Sequence, residues 1–460
     1  MRQNKRITLE NQQKNPGAGS RISAEVDLQL RKKGIIFSAM KSSLFTPQLT
    51  INWITRVLFF MSSAALLPTL PNYLISIGGN KSQVGIVMSA FAVGVLLFRP
   101  LVGKQIDSRG RKIVLLLGVL IFTIAPFFYI FIHSIVPLVA VRVFHGLGLA
   151  AFGTESITLI TDAASPKQRG EVISYTGMVN TVAFSAGPIF GSLIGDVWGY
   201  TALFIFVGLT SFACLILSLF IKETKTFETS ASTVGFVGAI WQRRIMLSFV
   251  IILLIAMVHG AVMFYYPIFL KENLHVNVGL FFAVFGAATM VVRVFIGRFS
   301  DHSGRGPLIV FSLVFIALGV FSLNYSTNIT FMYISAVLYG LGFGSQQPTL
   351  TTVVADNTTP ETRGKIFSFY YGGFDLGISI AGIVLGAFAE HYGIPFMFVI
   401  CGILAVAALL IFVLFFEHSV SDSVRCAFAL RQPGKECYIC DQFLEVTPKH
   451  AVEYFKSVEK

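Results

Sequence analysis

Charge is scarce in this chain. Of its 460 residues only 13% are Asp, Glu, Lys or Arg, against about 25% in soluble domains, while 54% are hydrophobic and the mean hydropathy is +0.74. That shortage excludes an ordinary water-soluble globule and points to a polytopic membrane protein. Acid is scarcer than base, with 23 Asp and Glu against 35 Lys and Arg and a formal net charge of +12. The excess does not indicate a nucleic-acid partner, because the basic residues are scattered between apolar runs instead of gathered on one face. Cysteine is also rare. There are five, an odd number, and Cys214 and Cys401 lie inside apolar runs, so no disulfide framework is implied. The stretch "CYIC" at 437 to 440, with Cys426, His418 and His450 nearby, offers zinc-ligand types but one close pair, where a structural site needs four converging ligands. Reduced thiols in a tail are expected there, with no metal and no cofactor. The first 50 residues contain no apolar stretch of signal-peptide length, so secretory cleavage is not expected.

What is present is a series of long apolar runs. A helix needs roughly 20 apolar residues to cross the hydrocarbon core, and twelve runs qualify, at about 51–76, 83–102, 113–133, 137–162, 171–195, 200–221, 245–270, 278–298, 307–325, 330–355, 365–389 and 395–416. Only helices or closed barrels satisfy the backbone in lipid, and these runs lack the alternation of barrel strands. The expected fold class is an all-α membrane protein of twelve spans. With both termini inside, the inner loops hold fourteen Lys and Arg and the outer loops two, Lys81 and Lys271, which fits the positive-inside rule. The expected location is the cytoplasmic (plasma) membrane, multi-pass, with both termini cytosolic.

A shift of 194 residues superposes the two halves. It carries Gly103, Asp107, Gly110 and Arg111 of "GKQIDSRGRK" onto Gly297, Asp301, Gly304 and Arg305 of "GRFSDHSGRG". With no gap it also aligns Gly146 with Gly340, Gly148 with Gly342, Asp162 with Asp356, Pro166 with Pro360 and Arg169 with Arg363. The expected organisation is a basic tail at 1–48, a six-helix bundle at 49–222, a polar linker at 223–244, a second six-helix bundle at 245–416 and a tail at 417–460. Parallel repeats of this kind build secondary transporters whose substrate site lies near the midplane between the halves.

These residues resemble the major facilitator superfamily over about 49–416. "GKQIDSRGRK" fits the family's loop between its second and third helices. "LVAVRVFHGLGLAA" at 138–151 resembles the fourth-helix motif of proton-coupled members, with Arg142 in the arginine place and His145 where glutamine is usual. "AFSAGPIFGS" at 183–192 resembles the fifth-helix motif of antiporters, carried by Gly187, Pro188 and Gly191, with Ala183 and Ser192 departing from it. The resemblance implies that Asp107 and Asp301 act in a latch on the inner side of the bundles. It also implies that Asp162 with Arg169 and Asp356 with Arg363, seven positions apart, form a charge network exchanging partners with that loop. On the residues alone, the loop can equally anchor topology by its positive charge, and the acid–arginine pairs can be solvated surface pairs of little energy. A phosphate cradle is disfavoured, since no strand precedes the loop and no Gly-Lys-Ser/Thr follows.

An ionisable group inside a span is costly and normally faces a cavity or a partner. Such groups are Arg56, Arg142, Glu155, Arg293 and Asp375. Arg99 and Arg293 sit four residues before the two loop glycines, and snorkelling or inner-gate pairing is expected of them. The resemblance makes Arg142 the arginine that tunes a proton-binding carboxylate or meets an anionic substrate. Glu155 is about 20 Å further along the same helix, too far to pair with Arg142, and Arg56 is a candidate partner. Asp375 in "YYGGFDLG" and Glu155 are alternative proton carriers, because a carboxylate that alternates between wet and dry surroundings can load and release a proton. Gly187, Pro188 and Gly191 suit close backbone approach and a bend. Asn180, Tyr265, Tyr266, Gln346, Gln347, Tyr370 and Tyr371 can line a cavity or simply pack between helices.

The expected function is secondary active transport by alternating access, with proton-coupled efflux of a small molecule. Uptake or exchange of a sugar or glucoside is the alternative, and a transporter-derived membrane sensor the second. No catalytic motif emerges, so an enzyme is not expected. The expected partners are the solute, protons and the lipid bilayer, with the chain a monomer.

Overall fold

The computed structural model describes residues 46–163, 169–223, 240–303, 305–326, 328–358 and 362–416, together with 423, 424 and 428. Among them there is no strand. The helices are α1 (Pro47–Leu66), α2 (Leu70–Ser76), α3 (Lys81–Arg109), α4 (Arg111–Phe131), α5 (Ile135–Ala163), α6 (Arg169–Leu219), α7 (Arg243–Asn273), α8 (Val278–Ser303), α9 (Arg305–Leu323), α10 (Ile329–Asp356), α11 (Arg363–Ile380), α12 (Gly386–Tyr392) and α13 (Ile394–Phe415). A π-helical turn, Ala381–Leu385, joins α11 to α12.

Ten helical stretches among the described residues are long and apolar enough to cross a membrane, two fewer than the twelve runs. One difference is α6, in which the fifth and sixth spans form one 51-residue element broken by non-helical backbone at Gly199. Gly199 takes φ 82°, and its repeat counterpart Gly393, between α12 and α13, takes φ 85°. Side chains are disfavoured in that region, so both halves turn on glycine at the same place. The other difference is α10, a 28-residue helix whose hydropathy is lowered by Gln346, Gln347 and a run of threonines. The helix-5 glycines act within one bundle, where a Cβ on Gly187 or Gly191 would collide with α1 backbone at Met61 and Ala65. The backbone stays helical through Pro188, so the departure lies at Gly199 and not at the proline.

The repeat is visible in packing as well as in sequence. A Cβ on Gly146 would collide with the Phe91 carbonyl, and one on Gly340 would lie 2.7 Å from the carbonyl of Phe285, the residue 194 positions after Phe91. A Cβ on Gly148 would lie 2.8 Å from Gly118 O and one on Gly342 2.8 Å from Ser312 O, again the same pair shifted. Small residues let helices approach closely enough for dispersion forces to hold them where the solvent is itself apolar. Large apolar side chains such as Leu97, Phe131, Val136, Leu209, Phe295 and Ile403 are exposed. So much outward apolar surface is stable only against lipid.

The two bundles meet along two seams, α3 against α11 and α12, and α6 against α8. On the first seam Ser89 Oγ donates to Ser379 O at 2.7 Å, and a Cβ on Gly85 would collide with Gly382 O and the Tyr265 hydroxyl. Gly382 lies in the π-helical turn, and Tyr265 Oη donates to its carbonyl at 3.1 Å.

Candidate functional site

The polar groups of the spans converge at the seams, about 15 Å from the helix ends that carry the Asp107 and Asp301 loops, taking 1.5 Å per residue from Arg99 and Arg293. Arg99 on α3 reaches across to Asp375 on α11, with Nη2 and Oδ2 2.7 Å apart. Arg293 on α8 reaches across the other seam to the hydroxyl of Thr181 on α6, and bonds Gln347 Oε1 and Gly344 O, both at 3.4 Å. One residue before Thr181, Asn180 Oδ1 accepts from Arg56 Nε at 2.7 Å. Arg56 also donates to Ser156 Oγ and lies over the Phe60 ring at 4.8 Å. Tyr371, one turn before Asp375 on α11, lies within electrostatic reach of all three guanidinium groups.

Arg99 and Asp375 retain 32% and 15% of their side-chain surface although each faces the opposing bundle. Asn180, Arg293, Gln347 and Tyr371 are half-buried as well. The two bundles thus leave these polar side chains incompletely covered at this level, and the region they line is the candidate space. Of the snorkelling or inner-gate pairing expected of Arg99 and Arg293, the structure has Arg99 paired across one seam with Asp375 and Arg293 hydrogen-bonded across the other to Thr181, each ten residues inside its helix.

The helix ends far from the Asp107 and Asp301 loops are tied together. Lys271 Nζ lies 2.9 Å from Asp196 Oδ1, and Asn277 Nδ2 donates to Asp196 Oδ2 at 2.9 Å. The backbone N–H of Lys81 donates to Glu390 Oε2 at 2.8 Å, and its Nζ lies 3.5 Å from Glu272 Oε2. Every one of these contacts joins one bundle to the other. With the Gly85–Gly382 approach beneath them they seal that end.

At the opposite end Arg305 pairs with Asp356 and donates to Thr352 O at 3.3 Å. Thus the loop arginine of the second half meets the acid of the α10 end. In the first half the carboxylate of Glu223 accepts from the backbone N–H of Arg111 at 3.2 Å and of Lys112 at 2.9 Å. An anion at the start of α4 is favoured by the N–H groups exposed there. The side chains of Asp107, Glu155, Asp162, Arg169, Asp301 and Arg363, the surroundings of Gly103 and Gly297, and the cysteines of the C-terminal tail lie outside the described residues. The suggested Glu155–Arg56 pair is among these.

Arg142 is buried, with its guanidinium 4.4 Å from the Phe91 ring centroid. Among the described residues no carboxylate forms an ion pair with it, and its neighbours are Tyr129 and His145. Tyr129 Oη and His145 Nδ1 are 2.9 Å apart, and Phe122 packs on the imidazole at 4.0 Å. Arg142 thus belongs to the interior of the first bundle. Of the possible lining residues, Tyr265, Tyr266, Tyr370 and Gln346 are fully buried between helices, and Tyr266 Oη donates to Ser326 Oγ at 2.9 Å. Asn180, Gln347 and Tyr371 are the ones at the space. Sequence reasoning missed Thr181, whose only signal is that 194 residues separate it from Asp375. It also missed His259, hydrogen-bonded to Tyr339 at 2.9 Å and stacked on Phe343 at 3.9 Å. Among the described residues no three His, Cys, Asp or Glu side chains gather closely enough to hold a metal ion.

The chain resembles known proteins over most of its length. It is 24% identical over 387 residues to the staphylopine export protein of Staphylococcus aureus, covering 81% of this chain and 96% of that one. To the multidrug resistance protein MdtG of Proteus mirabilis it is 24% identical over 378 residues, covering 78% and 93%. The crystal structure of the nucleoside transporter NupG superposes with a TM-score of 0.69 at 15% identity, covering 81% of this chain and all of that one. The sequence model of the Major Facilitator Superfamily matches residues 53–323 and again 249–434. Ten membrane-length helical stretches among the described residues, polar groups meeting at the seams and these matches lead to one conclusion: the chain belongs to the Major Facilitator Superfamily and is a multi-pass membrane transporter.

Proposed function

We propose that this protein exports a small solute across the cell membrane by alternating access, coupled to inward movement of protons. The observation that carries the reading is the Arg99–Asp375 pair, an acid and a base on opposite bundles that face a space inside the membrane. Rocking one bundle against the other on this seam separates the pair, and an unpaired carboxylate at that depth is costly unless it takes up a proton. Asp375 is therefore the coupling carboxylate. With the termini cytosolic, the sealed end faces outward, and the described arrangement is the one closed to the outside. Export is supported by the relatives, two of which are named for export or drug resistance. The solute remains in the midplane space until the outer ties break.

The test compares cells with and without the gene by measuring metabolites inside and in the medium. Export predicts a solute that accumulates inside cells lacking the gene, and an uncoupler should reproduce that accumulation in cells that have it. Depletion inside would reverse the direction, and accumulation insensitive to the uncoupler would remove proton coupling.

A further inference from the structure

The two seams are the same contact repeated, with one difference. A shift of 194 residues carries Arg99 onto Arg293 and Thr181 onto Asp375. Each half thus sends an arginine from the equivalent helix to the equivalent position of the other half. Arg99 meets a carboxylate there, whereas Arg293 meets the neutral hydroxyl of Thr181. The remaining partners of Arg293, Gln347 and the Gly344 carbonyl, are neutral too. Arg56 brings a third guanidinium to the adjacent residue Asn180, again held by neutral groups. Among the described residues the space holds three guanidinium groups and one carboxylate. Counting Glu155 as a full negative charge still leaves base in excess.

Uncompensated positive charge is unfavourable at such a depth. A guanidinium with neutral partners retains donors whose best match is a carboxylate or phosphate, taken two bonds at a time. Arg56 and Arg293 are bonded to consecutive residues of α6 from opposite bundles, so one anion between them would contact both halves of the transporter. We propose that the solute carried by this protein is a small organic anion, whose acidic group is bound between Arg56 and Arg293 near Asn180, Thr181 and Tyr371. The proposal rests on the transporter reading. An anion leaving a cell with a negative interior is also driven outward by the membrane potential.

The experiment uses the full-length chain in inside-out vesicles and labelled probes of three classes. These are citrate and glutamate as anions, glucose as a neutral solute and tetraphenylphosphonium as a cation. Uptake of an anionic probe is expected, favoured by an imposed potential that is negative on the cytoplasmic face and opposed when that potential is reversed. Arg56→Gln and Arg293→Gln should each weaken it about tenfold or more, the loss expected for one charge-assisted contact. The decisive variant is Thr181→Asp, which supplies the acid that the repeat lacks. It should leave the chain at least as heat-stable as wild type while lowering anion affinity about tenfold. Uptake of glucose or tetraphenylphosphonium without the anions, or anion uptake unchanged in Thr181→Asp and both glutamine variants, would overturn the anion proposal and leave the transporter reading standing. No flux of any probe, from vesicles whose protein is folded by thermal unfolding, would count against both.

Discussion

The seal at one end of the seams and the polar space at their middle are built from the same repeat but obey it differently. At the seal both halves keep an acid at the equivalent position, Asp196 and Glu390, and each is gripped by the opposite bundle. At the space only the second half keeps its acid, Asp375, while the first has Thr181. A seal has to close evenly on both sides of the pseudo-twofold axis, so matched pairs suit it. On the anion proposal the mismatch has a use, because it leaves Arg293 without a carboxylate partner among the described residues. Lys81 and Lys271, the two basic residues assigned to the outer loops, both take part in the seal. Charge kept sparse on that side is thus spent on joining the bundles.

Breaking the compensated seam should have the largest effect. Asp375→Asn leaves Arg99 facing a neutral amide, and solute accumulation above equilibrium is expected to be lost while downhill exchange continues, as measured in vesicles with and without an imposed proton gradient. Next comes the close approach beneath the seal. Gly85→Val would drive a side chain into the Gly382 carbonyl, whereas a Cβ on the repeat-related Gly279 would meet chiefly Asn277 Oδ1 at 2.8 Å and Ser192 Cβ at 3.2 Å. The first substitution should therefore cost about 1–3 kcal/mol more than overpacking against movable side chains. Thermal unfolding of Gly85→Val and Gly279→Val in parallel checks the difference, and equal losses would mean that the two seams are equally tight.

The sequence made some of this legible and concealed the rest. The spans, the repeat and Asp375 follow from hydropathy, spacing and the rarity of charge inside membranes. Arg99 and Arg293 were visible as charges, but their distance from the loop glycines suggested helix ends, and nothing local to them names the opposite bundle as partner. Thr181 has no chemical signal of its own, since threonine is an unremarked residue in a membrane helix. Its meaning appears only when the repeat and the three-dimensional seam are laid together.

A smaller effect is expected from completing the mismatch. Thr181→Asp should raise stability by at most about 1 kcal/mol, because the position is buried while its partner Arg293 is half-buried, so desolvation offsets part of the pairing, with unfolding temperature as the measure. The smallest belongs to the seal itself. Asp196→Asn and Glu390→Gln remove ties whose partners are partly exposed, Lys271 at 38% for instance. Each should cost only about 0.2–1 kcal/mol, and the difference from wild type should shrink as salt is raised and exposed charges are screened. A loss that persists at high salt would place these pairs away from water and make the seal stronger than its exposure indicates.

By itself the sequence determined the solvent of this protein, its helical class, its division into two like halves and the scarcity of charge that makes each buried ionisable group informative. These depend on composition and on spacing along the chain, which hydropathy and a constant 194-residue shift read directly. The tertiary structure alone decided which charges neutralise one another. Arg142 went into the interior of one bundle against Phe91, while Arg56, Arg99 and Arg293 came to one space from three helices of two bundles. Pairing across a seam depends on which helix faces move together and at what depth. That is settled by packing contacts such as Gly85 against Gly382, and not by any residue's own character.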